Sequence, residues 1–63
     1  MVGQRIKDYL TENGIKQSFL SDKTEIPEPI LSKMFAEQRK ITVEEYRSIC
    51  QALKIPMGFF FGE

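Results

Sequence analysis

Histidine and tryptophan are absent from this 63-residue chain, and cysteine occurs once, as Cys50. Without histidine there is no imidazole to act as a base near neutral pH or to complete a Cys/His zinc site, and a lone cysteine has no intramolecular disulfide partner. No base, nucleophile, metal cluster or phosphate-binding loop can be assembled, so no cofactor, no metal and no enzymatic activity are expected. Excess charge of either sign is missing too. Nine Lys and Arg balance nine Asp and Glu, and with a pI near 6.2 long-range attraction to a polyanion is weak. No apolar run exceeds Phe59-Phe60-Phe61, far short of a bilayer span, and no apolar stretch follows Met1-Val2-Gly3-Gln4-Arg5 as a signal peptide requires. The expected location is the cytoplasm, with no membrane partner.

What is present is helical spacing. A chain that is 41% hydrophobic with mixed charges folds, and at this length it makes one domain, residues 1–63. Val2, Ile6, Tyr9 and Leu10 recur at three- and four-residue intervals, and Asn13-Gly14 supplies a left-handed stop, so a first helix is predicted over 2–12. A second, of about two turns, starts near Lys16, carries Phe19, Leu20 and Thr24, and breaks at Ile26-Pro27. Pro27 can precede a third helix and Pro29 can occupy its first turn, where backbone N–H groups lack intrahelical acceptors. That helix is predicted over 28–36, with Ile30, Leu31, Met34 and Phe35 at helical spacing. Thr42 and Glu45 form a capping box, with Ile41 stapled to Tyr46, opening a fourth helix that runs through Ile49, Cys50 and Leu53. Pro56 is placed to start a fifth, short helix carrying Met57, Phe60 and Phe61. Period-two alternation is lacking, and no strand is expected.

The second and third predicted helices are joined by only Glu25-Ile26-Pro27, the spacing of a helix-turn-helix whose second helix enters a major groove. Several features in order then resemble the phage repressor and Cro type of bacterial helix-turn-helix regulators. They are Arg5-Ile6-Lys7, Asn13-Gly14-Ile15-Lys16-Gln17, Leu20-Ser21, Ile26 at the turn, Leu31-Ser32-Lys33-Met34, and Ile49-Cys50-Gln51-Ala52-Leu53-Lys54-Ile55. The resemblance runs from about Gly3 to Phe61. It implies an all-α, compact five-helix lambda-repressor-like DNA-binding domain in which helices 2 and 3 form the helix-turn-helix. Helix 3 is then the recognition helix, with Glu28, Pro29, Ser32 and Lys33 meeting base edges beside Pro27. Lys33 is the strongest candidate, as a donor to guanine O6 and N7. Gln17 stands where the family holds a phosphate at a helix start, and Lys16, Gln38, Arg39 and Lys40 stand where it grips the backbone.

Several positions depart from the family pattern. Residues 16–40 carry five bases (Lys16, Lys23, Lys33, Arg39, Lys40) and four acids (Asp22, Glu25, Glu28, Glu37), so the motif is almost neutral. Glu25 occupies the turn position where relatives carry glycine, and Pro29 removes an N–H from the recognition helix. Leu10 and Phe35 replace an Arg–Glu pair, so these two are expected to meet in the core. Phe19 and Ile30 stand at positions that are usually polar. Cys50 falls at a small apolar position and is read as a buried space filler, not a redox switch. Glu44 and Glu45 suit the positive end of a helix dipole. Three consecutive Phe exceed what one short helix buries; with Met57 they either form a twofold interface, through Met57, Phe59 and Phe61, or close a monomer core.

The expected function is therefore sequence-specific DNA binding by a transcriptional regulator of phage or prophage origin. It is expected to act as a homodimer on double-stranded DNA, with no small-molecule ligand. A whole Cro-like protein and the DNA-binding part of a longer repressor both fit. The alternative is the same fold used as a protein-binding adaptor, an antirepressor or antitoxin, with little DNA affinity.

Overall fold

The computed structural model describes residues 2–61. Four α-helices follow one another, α1 (Val2–Glu12), α2 (Gln17–Thr24), α3 (Glu28–Phe35) and α4 (Val43–Leu53), before a single 3-10 turn at Phe59–Phe61. No strand occurs among the described residues.

Local chemistry sets most of the boundaries. α1 ends where Gly14 takes a left-handed φ of 66°, letting the N–H of Ile15 reach the Leu10 carbonyl at 2.8 Å and that of Gly14 reach Thr11 at 3.3 Å, the paired closure of a Schellman motif. α4 opens on the expected capping box. The Thr42 hydroxyl accepts from the Glu45 N–H at 3.1 Å, and the Glu45 carboxylate accepts from the Thr42 N–H at 2.9 Å. Pro27 and Pro29 fall at the N-cap and in the first turn of α3. The Pro27 carbonyl accepts from the N–H groups of both Ile30 and Leu31 at 3.0 Å, so the prolines open the helix without breaking its ladder.

The fifth helix expected from Pro56 does not form. Backbone bonds there run only three residues back, from Phe59 to Pro56 and from Phe61 to Gly58. The Met57 carbonyl, which an α-helix would give to the Phe61 N–H, accepts from the Tyr46 hydroxyl instead, and the Arg5 guanidinium ties the segment to α1 through the Phe60 carbonyl at 2.7 Å. Tied to α4 and α1 and bonded only three residues back, the segment lacks the cooperative bonding that offsets the cost of starting a helix.

The core is one continuous cluster fed by every helix. α1 contributes Ile6 and Leu10, α2 Leu20, α3 Leu31, Met34 and Phe35, α4 Tyr46, Ile49 and Cys50, with Ile26 from the turn and Phe60 from the C-terminal segment. Leu10 and Phe35 are both buried in it, apolar groups standing where the family carries an ion pair, a replacement that is often neutral or stabilising when well packed. Cys50 is buried with its thiol free, and burial raises its pKa above the ordinary thiol value, which keeps it protonated and inert. Of the three phenylalanines only Phe60 is buried; Phe59 and Phe61 are 47% and 62% exposed.

α1 lies close against α3 at Gly3. A methyl group at that position would collide with the Met34 carbonyl oxygen and press on the Glu37 carboxylate. The same carboxylate accepts from the Gln4 N–H at 3.0 Å, capping α1 from the far end of α3. Gly3→Ala is therefore expected to destabilise the fold by about 1 to 3 kcal/mol, even though alanine is the better helix former. Gly58→Ala meets no atom within 4 Å and should stay within about 0.5 kcal/mol of the parent. Urea unfolding of both variants checks the contrast.

Candidate nucleic-acid interface

The presentation of α3 is decided in the three residues before it. Glu25 takes the left-handed conformation, φ 62°, and its N–H closes α2 on the Ser21 carbonyl at 2.8 Å. A non-glycine residue there costs roughly 1 kcal/mol, and a local network of side-chain bonds holds it. The Ser21 hydroxyl donates to the Ile26 carbonyl at 2.6 Å, the Thr24 hydroxyl donates to Leu20, and the Ile26 N–H donates back to Thr24 Oγ1 at 3.3 Å. Ile26 drops into the core beneath the turn. The left-handed turn is thus made without a glycine.

From this start α3 buries Leu31, Met34 and Phe35 and exposes Glu28, Pro29, Ser32 and Lys33. At 3.6 residues per turn, positions 28, 32, 29 and 33 form one outward stripe. All four residues expected at base edges therefore share one solvent-facing surface. Gln17, the first residue of α2, leans across to it. Its side-chain amide donates to Ser32 Oγ at 2.8 Å and to the Glu28 carbonyl at 3.3 Å. Both N–H bonds of that amide point at α3, so the side chain braces the two helices together. Ser32 accepts this bond and keeps its own hydroxyl proton as a donor. The first turn of α2 has no side-chain cap, and Lys16 is exposed beside it.

Two residues of α1 join this surface without any sequence signal for doing so. A cleft of about 280 Å³ between α1 and the α2–α3 pair is lined by Gln4, Lys7, Gln17, Ser32, Phe35 and Ala36. Lys7 and Gln4 lie one turn apart on α1, but only the packing of α1 on α3 brings them alongside Gln17 and Ser32.

Beyond α3, Gln38, Arg39 and Lys40 are exposed in the loop that leads to α4, which leaves α3 through a left-handed Glu37, φ 64°. Arg39 is not an unengaged cation. Its two terminal nitrogens meet the two Glu45 carboxylate oxygens at 3.0 Å each, and one of them also donates to the Lys40 carbonyl at 3.2 Å. The Arg39 guanidinium and the Thr42 N–H together hold the Glu45 carboxyl pKa down at about 2.

Of the residues expected at a dimer interface, two line one groove and the third does not. Met57 and Phe61 line an open apolar groove of about 800 Å³ with Val2, Ile41, Val43 and Tyr46. Phe59 lies outside that groove, edge-on to Tyr9 with ring centroids 5.2 Å apart. Phe19 is exposed on α2, with the Lys23 ammonium 5.7 Å from its ring centroid.

The family model described as helix-turn-helix, of the Cro/C1 type, matches residues 6–60. The chain belongs to this DNA-binding family. The matched span begins and ends on core residues, Ile6 and Phe60, and covers all four helices but the first four residues of α1. No curated protein and no solved structure matches the chain. Among the described residues no helix is long and apolar enough to cross a membrane.

The Arg39–Glu45 pair has a consequence for stability. A carboxyl whose pKa is lowered by folding contributes stability that is complete above its ordinary value and is lost as pH falls through its folded value. Glu45 should therefore stabilise the wild type at pH 5 and above, with the advantage disappearing between about pH 4.5 and 2. Thermal melts of wild type and Glu45→Ala across this range should converge at the acid end.

Proposed function

We propose that the protein is a sequence-specific transcriptional regulator that lays α3 in the major groove of an operator half-site. The resemblance to phage repressors supports a phage or prophage origin and a cytoplasmic location, with residues 1–63 acting as one helix-turn-helix domain. The observation that carries this reading is the outward stripe of Glu28, Pro29, Ser32 and Lys33 on a helix whose opposite side buries Leu31, Met34 and Phe35.

Each residue has a chemical task in that reading. Lys33 donates to guanine O6 and N7, Ser32 donates its remaining hydroxyl proton to a base acceptor, and Glu28 accepts from cytosine N4. Pro29 gives a rigid apolar contact with no N–H to satisfy. Lys16, Lys40 and Gln38 face phosphates, with Arg39 beside them to join once its pair with Glu45 opens, while Gln17 contributes its backbone N–H at the start of α2 and fixes Ser32 in place. Lys7 and Gln4 extend the phosphate contacts on the α1 side of the cleft.

A homodimer is proposed as the binding species, because Val43 and Phe61 are 69% and 62% exposed around the groove that also contains Met57, and Phe59 is a further exposed aromatic of the same segment. Two half-sites one DNA turn apart, about 34 Å, would then be read together. The same apolar groove, beside an almost neutral motif, supports the adaptor as a second reading, in which this surface meets another protein.

Lys33→Ala is expected to lose about 1 to 3 kcal/mol of discrimination at one base position, whereas Lys40→Ala weakens all duplexes alike and lowers the salt slope by about 0.9. Equal effects of the two substitutions on matched and mismatched duplexes contradict this division of labour. Light scattering checks the dimer. Phe61→Ser should shift the mass towards the monomer, and a wild type that is monomeric at all concentrations favours closure of a single-chain core instead.

A further inference from the structure

We infer that Glu45 restrains DNA affinity by holding the Arg39 guanidinium away from phosphate. The inference rests on the DNA-binding reading above and adds a residue that acts against binding. Two independent sets of bonds meet on this one carboxylate. The first is the capping box, in which the carboxylate accepts from the Thr42 N–H at 2.9 Å while the Glu45 backbone N–H donates to the Thr42 hydroxyl at 3.1 Å. The second is the two-point contact with Arg39 at 3.0 Å per arm. The cap fixes the carboxylate on the first turn of α4 whether or not Arg39 is there. Arg39 comes from the loop, so it is the partner that has been captured.

A DNA phosphate approaching this loop meets a cation whose charge is already compensated at fork geometry. To take Arg39 it must displace a carboxylate that is equally suited to the guanidinium and pre-positioned by the helix. Counterion release drives phosphate contacts, and a guanidinium already paired within the protein adds little to that term until the pair opens. Lys40, one residue on, has no partner among the salt bridges of the described residues. Of the two adjacent cations, one is held by the fold and the other is available to DNA.

Glu45→Gln separates the two functions of the carboxylate. The amide keeps an oxygen that accepts the Thr42 N–H, but it carries no charge to hold Arg39. Affinity for a mixed-sequence duplex is measured by fluorescence anisotropy between about 50 and about 200 mM salt, for wild type, E45Q, R39Q and R39Q/E45Q, with thermal melts to confirm folding. The expected result is an E45Q salt slope steeper than wild type by about 0.9, so that its advantage grows about 3.5-fold as salt falls across that range. In the R39Q background E45Q should leave the slope unchanged.

A gain of equal size in both backgrounds overturns the inference, because it reduces Glu45 to a simple repulsive charge. If E45Q does not fold, R39K gives the same test with the cap intact: a single ammonium holds the carboxylate less firmly, and a slope no steeper than wild type overturns the inference. Salt-dependent binding by wild type with an unchanged E45Q slope overturns the inference alone. No retention of any duplex by either protein overturns the DNA-binding reading as well.

Discussion

The left-handed turn at Glu25 is the constraint on which the rest of the molecule depends. It sets the angle at which α3 leaves α2, and so decides which side of α3 meets the core. Once Ile26 is seated, Leu31, Met34 and Phe35 follow it inward, and Glu28, Pro29, Ser32 and Lys33 must face outward. Ser21 and Thr24 hold the turn by hydrogen bonds, and Gln17 holds its outcome by bonding across to Ser32 and Glu28. The recognition surface is therefore rigid for reasons that lie in α2, before α3 begins.

Electrostatics act locally in this protein. With zero net charge there is no broad positive field, and the placement of single cations has to do what bulk charge does in more basic proteins. The fold engages several of the charges itself: Glu37 caps α1, Glu45 caps α4 and holds Arg39, and Arg5 anchors the Phe60 carbonyl. Lys7, Lys16, Lys33 and Lys40 are exposed around the α2–α3 surface and its flanks. Such an arrangement favours short-range discrimination over non-specific attraction.

Much of this was legible in the sequence, where the signals were local. Asn13-Gly14, the Thr42–Glu45 box and the two prolines each carry a mechanism within a few residues, and the structure places helix ends at each of them. The apolar positions of the helix-turn-helix identify its buried side in the same way. What escaped depends on contacts between distant segments. Gly3 reads as an ordinary helix residue until Met34 is brought against it. Lys7 and Gln4 reach the interface only because α1 lies on α3. The bond from Arg39 to Glu45 spans a loop and has no periodic signature. Pro56 has the local signature of a helix start, but Tyr46 from α4 takes the Met57 carbonyl that the helix needs, and Arg5 from α1 holds the Phe60 carbonyl.

The central claim is that the outward side of α3, with the loops that flank it, is where DNA sits. A titration of the 15N-labelled protein with duplex DNA, followed by amide chemical shifts, tests it most directly. The largest changes should fall on Gln17, on residues 28–33 and on residues 38–42, with Tyr9, Phe59 and Phe61 little affected. Changes centred on the aromatic C-terminal segment, with α3 silent, would contradict it.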